Sequence, residues 1–319
     1  MKDNFARKID YMRVSVTDRC NLRCAYCMPT PISHNPHTNI LRYEEILRLC
    51  AIMAKLGVKT VRVTGGEPLV RKGCVDFIRR LKKIPGILFV ALTTNGVLLE
   101  QYLEELKNIG LDSLNISLDS LCPDIYAKLT NQDAFEQVWT AINKALQIGL
   151  RVKLNFVPIK GINDSQILAM ASLPENLPLD VRFIEFMPTK ISANLTGIPE
   201  YEILARVKAK YPDLVPDTDA HGFGPATYFK TKAMRGSIGF ISSISENFCA
   251  DCNRVRLSSD GFLTLCLHHR QGLCLRQMLR SEASDGDIAA AIRHIIAQKP
   301  EKHLQHDAVK LKHMSKIGG

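Results

Sequence analysis

The sequence predicts an α/β fold: an incomplete (βα)6 TIM-like barrel with a smaller C-terminal α+β module closing the open side. Three observations lead there. Short β-branched runs alternate with longer amphipathic patterns from about residue 40 to 210, as βαβ units and a parallel sheet require. With a strand near 12–16 the alternation makes about six repeats, too few for the eight of a closed barrel. After about Pro212 the chain turns to Gly, Pro, Ser and short β-like runs. An open partial barrel fits this count better than a doubly wound sheet, although periodicity alone leaves both standing. The expected division is residues 1–212 for the partial barrel and 213–319 for the second module.

Each element has a local reason. Ile46, Leu49, Cys50 and Met53 recur at helical spacing and Gly57 stops them, so 42–56 reads as a helix. A strand over 59–63 and a helix over 75–83 follow. Next come a strand over 87–92 and a helix over 98–109 ended by Gly110, then a strand over 113–118 and a helix over 135–148 ended by Gly149. A strand over 151–157, a short helix over 165–171, a strand over 180–186 and a helix over 199–210 complete the alternation. Beyond it, β-like runs fall at 227–230, 237–241, 254–258 and 262–265, with helices near 274–280 and 287–298.

The chain has 319 residues, 46% of them hydrophobic, enough for one large or two modest domains. The first residues are polar with no apolar core, so no signal peptide is expected. No apolar run approaches the about 18 residues a membrane span needs, and a cytoplasmic protein without a membrane partner is expected. Ten cysteines in a reducing compartment do not read as a disulfide framework. Cys50, Cys74 and Cys122 fall at helices and suit packing, while Cys274 is ambiguous. The net charge of +10 suits solubility or a polyanionic partner such as nucleic acid or a phosphorylated small molecule. Without a Lys/Arg tail or a low-complexity basic stretch, specific nucleic-acid binding is disfavoured.

Cys20, Cys24 and Cys27 are spaced Cys-x3-Cys-x2-Cys and followed by Met28-Pro29. Soft thiolates favour zinc, copper(I) or iron–sulfur clusters. Those sites normally want four protein ligands, so three leave one metal corner open for chemistry. Ligands of parallel α/β folds gather at the C-terminal strand ends, and polar groups recur there. Thr64-Gly65-Gly66-Glu67-Pro68 follows one strand; its glycines permit close backbone approach and Glu67 can accept hydrogen bonds from a cationic amine. Thr93-Thr94-Asn95-Gly96 follows the next, Ser117 and Asp119 end another, and Lys153 and Asn155 share one strand face. Arg182, Glu185 and Met187 lie on or after the last. Each alone reads more readily as structural than functional; the recurrence shifts the balance.

A second group is Cys249-x2-Cys252 with Cys266 fourteen residues later. Zinc is a stronger alternative here, because Cys274, His268 or His269 can complete a tetrahedral site. Arg254 and Arg256 alternate just after Cys252, so on a strand they form one anion-clamping face. Solvated arginines on an edge strand are the plainer reading. The chain ends Gly318-Gly319, which reads as a loose terminus.

The first cysteine spacing with Gly-Gly-Glu-Pro resembles the radical S-adenosylmethionine (SAM) superfamily. Arg13 before Cys20, the strand-end series, Arg182-Phe183-Ile184-Glu185-Phe186-Met187, Cys249-x2-Cys252-x-Arg254-x-Arg256, Cys266 and the terminal Gly-Gly together resemble the GTP 3′,8-cyclases, the molybdenum cofactor biosynthesis A family, over essentially the whole chain. The resemblance implies a [4Fe–4S] cluster on Cys20, Cys24 and Cys27 whose open iron chelates SAM, and a second on Cys249, Cys252 and Cys266 whose open iron binds guanine. It places SAM on Tyr26, Gly66, Glu67, Ser117 and Met187. It places GTP on Arg13, Arg62, Thr93, Lys153, Arg182, Arg254 and Arg256. Arg13, Arg254, Arg256, Gly318 and Gly319 become catalytic, the last two by reaching into the site.

The implied reaction has a 5′-deoxyadenosyl radical take hydrogen from the ribose C3′ of GTP, after which C3′ attacks guanine C8 to give 3′,8-cyclo-7,8-dihydro-GTP, the first step of molybdopterin synthesis. The implied partners are a reductant protein such as flavodoxin or ferredoxin and the downstream cyclic pyranopterin monophosphate synthase, with a homodimer as an open alternative to a monomer. Two competing readings stand beside this: another two-cluster radical SAM enzyme that modifies a peptide, and a non-enzymatic protein binding RNA or metal through its basic surface and a zinc knuckle. Arg254→Ala or Arg256→Ala is expected to weaken or abolish GTP turnover while both clusters still assemble; wild-type turnover in the double variant would sink the nucleotide-positioning role. Deletion of Gly318-Gly319 is expected to impair turnover, and normal turnover refutes the tail's reach.

Overall fold

The computed structural model describes residues 1–28, 34–189, 192–245, 248–269 and 271–302. Six strands, β1 (Tyr11–Ser15), β2 (Thr60–Thr64), β3 (Phe89–Thr94), β4 (Ser113–Ser117), β5 (Val152–Phe156) and β6 (Asp180–Ile184), lie side by side and parallel in chain order. Helices separate or follow them: α1 (Tyr43–Lys55), α2 (Cys74–Lys82), α3 (Leu103–Ile109), α4 (Pro123–Thr130), α5 (Phe135–Gln147), α6 (Ile167–Asn176) and α7 (Glu200–Lys210). The later chain adds β7 (Val215–Pro216), β8 (Thr227–Lys230), β9 (Ile238–Ile241), β10 (Arg254–Leu257), β11 (Phe262–Thr264), β12 (Gly272–Cys274), α8 (Leu275–Arg280) and α9 (Asp285–Ala297).

All twelve strands form one mixed sheet in the order β12-β11-β10-β1-β2-β3-β4-β5-β6-β9-β8-β7. β9 joins β6 and β10 joins β1, both parallel, while the outer strands are antiparallel. β12 and β7 are therefore its two edges, and among the described residues they do not pair, so the sheet is open and barrel-like rather than closed. β9 and β10 are consecutive in the chain yet flank opposite sides of the six-strand block. Residues 242–253 connect them, and this connection carries Cys249 and Cys252.

Strand alternation divides the sheet into two chemical faces. Val14, Val61, Val63, Val90, Leu92, Leu114, Ile116, Leu154, Val181 and Phe183 are buried in one core with Ile46, Leu49, Phe77, Ile78, Leu106, Val138 and Ile142 of the helices. The intervening positions are polar or charged: Arg13, Arg62, Thr93, Asn115, Lys153, Asn155, Arg182, Arg254 and Arg256. Among the described residues no helix is long and apolar enough to cross a membrane.

Three local outcomes differ from the periodicity. α4 is a helix the apolar pattern does not announce; Pro123 opens it and Asn131, at φ +56°, stops it. β3 runs on through Thr93 and Thr94, because both continue the ladder with β4. α6 extends to Asn176 through Pro174, whose carbonyl oxygen accepts from the Arg235 and Gly236 N–H groups. The added strands β7 and β12 are two and three residues long, too short to show a period.

The rings of Phe156, Phe183 and Phe240 stand in a row across β5, β6 and β9, with centroids 5.5 Å apart at each step. Phe183→Ala removes the middle ring and is expected to cost about 3–5 kcal/mol, read as a lowered urea midpoint at unchanged slope. An unchanged midpoint would refute the row as a structural tie.

Candidate active site on the polar face of the sheet

The loop after β1 carries Cys20, Cys24 and Cys27, all half-buried. Its shape is set from three sides. The Cys27 and Met28 N–H groups both donate to the Cys24 carbonyl at 3.0 Å, closing a turn. Arg23 and Ala25 donate to Thr130 and Leu129 at the end of α4. From β2, Gly66 N–H donates to Thr17 at 2.7 Å and Glu67 N–H to Arg19 at 2.8 Å. A Cβ on Gly66 would stand 2.4 Å from the Arg19 carbonyl oxygen, and one on Gly65 2.8 Å from that of Thr17. The close approach that the glycines permit is thus made to the cysteine loop itself.

Glu67 is fully buried. Its carboxylate accepts from Thr94 Oγ1 at 2.8 Å, Asn95 N–H at 2.7 Å and Leu69 N–H at 3.0 Å, and burial raises its pKa to about 7. The contacts it makes are with the protein, tying the ends of β2 and β3. Asn95 passes the tie on, donating through Nδ2 to Asn21 Oδ1 at 2.8 Å and to Cys20 Sγ at 3.6 Å. Tyr26 donates to Asp119 Oδ2 at 2.6 Å, and Val157 N–H to Asp119 Oδ1 at 2.8 Å. Burial pushes the Cys24 thiol well up, as do nearby Cys27, Asp119 and Cys20. Three thiols crowded in one low-dielectric pocket are poised to be relieved by a cation. Ser117 ends β4 opposite Asn155, and half-buried Met187 follows β6, so both sit at the same rim as this loop.

Deeper on the polar face, register aligns the cations. Arg13 is paired with Arg62 on one side and Arg256 on the other, so three guanidinium-bearing residues stand abreast on strands about 4.8 Å apart. One pleat below, Tyr11 is paired with Arg254. Arg62 donates to Tyr11 Oη and, at 3.4 Å, to Thr93 Oγ1. Arg254 stacks over the Tyr11 and Phe248 rings at 5.5 and 5.2 Å. Arg182 donates to Asn115 and Asn155, and buried Lys153 to Asp180 at 2.6 Å and Tyr228 at 3.1 Å.

The field is visible in the titrating groups. Burial alone raises the Tyr11 phenol, but Arg62, Arg13 and Arg254 outweigh it and lower its pKa. Burial, then Arg256, Arg62 and Arg254, hold Arg13 well below its ordinary value. Burial and Arg254 lower Arg256 to about 10. Arg256 is 9% exposed, and its Nη1 has no hydrogen-bond partner among the described residues. Tyr11, Arg62, Lys153 and Arg182 line a cavity of about 400 Å³. Guanidiniums in such a row are able to hold a polyanion through charge-assisted, bidentate bonds, while Asp217 and Asp219 line the same cavity.

The second triad lies at the other end of these strands. Cys249 and Cys252 precede β10, and Cys266 follows antiparallel β11, so all three fall at the N-terminal end of the parallel sheet; the first triad is at its C-terminal end. The three cysteines line a cavity of about 60 Å³ with Arg254, Arg256, Phe248 and His268. Burial raises the Cys252 thiol, but Lys299 and Arg254 outweigh it and its pKa is lowered. The Cys266 thiol stays raised, by burial first. Among the described residues no three His, Cys, Asp or Glu groups converge on one ion. Cys274 pairs with Phe262 across β11 and β12. Gly318 and Gly319 lie outside the described residues.

Sequence reasoning passed over several residues. Tyr11 shares a strand face with Arg13 two positions on, which is a usable signal. His221, held by Asp180 at 3.0 Å and Asp217 at 2.9 Å and stacked on Tyr228 at 3.9 Å, sits in a segment without periodicity. Lys299 and Arg7 meet the second triad only through the fold.

Comparison with known proteins gives the family. The Radical SAM superfamily profile matches residues 14–173, and that of Molybdenum Cofactor Synthesis C matches 179–305. The superfamily implies a [4Fe–4S] cluster and SAM, and the soft, half-buried trio of Cys20, Cys24 and Cys27 fits such a cluster. Among solved structures, Streptococcus suis SuiB bound to S-adenosylmethionine superposes with a TM-score of 0.67 at 12% identity, covering 97% of this chain and 77% of that one; the likeness is one of fold. Proteins named GTP 3′,8-cyclase from Pelotomaculum thermopropionicum and Heliobacterium modesticaldum are each 45% identical over 100% of both chains. The chain belongs to the radical SAM superfamily and, within it, to the GTP 3′,8-cyclase family of molybdenum cofactor synthesis.

Proposed function

We propose that the protein converts GTP to (8S)-3′,8-cyclo-7,8-dihydroguanosine 5′-triphosphate, the first step of molybdopterin synthesis. The observation that carries this is the abreast row Arg256–Arg13–Arg62, joined by Lys153 and Arg182, between two cysteine triads at opposite strand ends. A five-residue strand spans about 16 Å, a length one nucleotide can bridge. In this reading residues 1–212 form a (βα)6 partial barrel and 213–319 a module on its open side.

Cys20, Cys24 and Cys27 would hold the cluster that binds SAM, beside Tyr26, Gly66, Ser117 and Met187. Glu67 acts one step back, holding Asn95 against Cys20. Bound there, cluster and SAM would supply the radical chemistry that removes hydrogen from the ribose C3′ of the substrate. The chain's own work is orientation and exclusion of water. Arg13, Lys153, Arg254 and Arg256 would grip the triphosphate; Arg62, Thr93 and Arg182 would hold the remainder. Cys249, Cys252 and Cys266 would hold a second cluster that anchors guanine. The tail departs from Lys302, and 17 further residues reach up to about 60 Å extended, ample for Gly318-Gly319 to enter the site. A flavodoxin- or ferredoxin-like donor would supply electrons, and the product would pass to a cyclic pyranopterin monophosphate synthase.

Anaerobic incubation with SAM, reductant and GTP tests the reading: 5′-deoxyadenosine and a cyclised nucleotide are expected to appear together, and their absence with fully loaded protein would overturn it. Iron and sulfide counting is expected to give about eight of each per chain. About four iron with zinc would remove the second cluster, and zinc alone would return the binding-protein reading.

Lys153 supplies a pH test. Burial lowers its pKa to about 8, so the lysine is charged below that pH and neutral above it. The KM for GTP is expected to rise as pH passes 8, and Lys153→Arg, which stays charged, is expected to flatten that limb. An unchanged alkaline limb would exclude Lys153 as a triphosphate contact.

A further inference from the structure

Lys299, two residues beyond α9, is among the most deeply buried side chains of the protein, at 2% exposure. Its ammonium donates to the carbonyl oxygens of Arg254, at 3.1 Å, and Leu265. Those carbonyls belong to the residue two after Cys252 and the residue just before Cys266, and the positive charge of Lys299 acts on both thiols. Among the described residues none of its acceptors is a carboxylate. A buried ammonium without a carboxylate counter-ion is costly, and negative charge on the neighbouring sulfurs offsets that cost.

The position is held firmly. Arg7, also buried, donates through Nη1 to the carbonyl oxygens of Cys249 at 2.7 Å and Glu301 at 2.8 Å, and through Nη2 to that of Pro300 at 2.7 Å, while its Nε pairs with Asp3 at 2.6 Å. The two ends of the described chain are thereby clamped around the second triad.

We infer that Lys299 is the built-in counter-charge of the second triad, a positioning residue whose ammonium offsets the negative charge of an iron–sulfur cluster there and raises its reduction potential. The inference rests on the two-cluster reading above. A cation fixed beside a cluster thiolate stabilises the reduced state, which carries one more negative charge.

The test compares wild type, Lys299→Met and Lys299→Arg after anaerobic reconstitution, by iron counting and by redox titration followed by electron paramagnetic resonance. In Lys299→Met the second-cluster signal is expected at lower potential, by on the order of tenfold in the redox equilibrium (about 59 mV for one electron), with on the order of 10- to 100-fold weaker iron retention at that site. The first-cluster signal stays unchanged as the internal control for folding, and Lys299→Arg restores the potential. An unshifted second-cluster potential in fully loaded Lys299→Met overturns the inference while leaving two clusters in place. A wild type with about four iron per chain overturns both the inference and the two-cluster reading. If Lys299→Met fails to fold, Lys299→Arg decides: a wild-type potential is expected, and a potential displaced despite the retained charge overturns the inference.

Discussion

The rest of this site depends on like charges being forced together by β-sheet register. Arg256, Arg13 and Arg62 occupy one level of three neighbouring strands. At a separation of about 5 Å and an effective dielectric near 20, two unit charges repel by about 3 kcal/mol. That cost is borne by the opposite face of the same strands, where a continuous apolar core with the helices holds the backbone. The sheet cannot relax one arginine without shifting a strand, and a strand shifted by one residue would turn its apolar set outward. The crowding is therefore built into the fold, and an anion bound there would relieve it.

At the rim, rigidity has a different origin. Gly66 and Glu67 bond the backbone of the cysteine loop, and the Glu67 carboxylate reaches Cys20 through Asn95. Hydrogen bonds to a buried carboxylate in this dry environment are strong and costly to break. The loop that carries three thiols is thus fastened to two strand ends and to α4 by the protein's own hydrogen bonds. Such fastening would lower the ordering cost of assembling a cluster there.

The open sheet solves a connectivity problem. Because β9 and β10 take opposite flanks, the chain must pass from one to the other, and residues 242–253 put Cys249 and Cys252 on that passage. Glu185 steadies its start by accepting from Ile244 at 2.8 Å and Ser245 at 3.0 Å, and Arg7 steadies its middle at Cys249. A loop of twelve residues would otherwise be the least ordered part of the site.

Local chemistry determined much of this protein. Alternation of apolar and polar residues specifies parallel strands with a charged face, cysteine spacing marks two groups of three thiols, and Arg254-x-Arg256 puts two guanidiniums on one strand face. These signals are legible because each depends on neighbours a few residues away. Only the tertiary structure decided that Gly65-Gly66 receives the cysteine loop, that α4 supports it, that Arg13 stands between Arg62 and Arg256, and that Lys299 lies beside Cys252. Each of those joins residues tens to hundreds of positions apart, and strand order and burial, which no local period encodes, choose the partners. Lys299 is the clearest case: as a lysine near a polar C-terminus it looks like solvated surface, and its role arises because packing of α9 buries it beside sulfur.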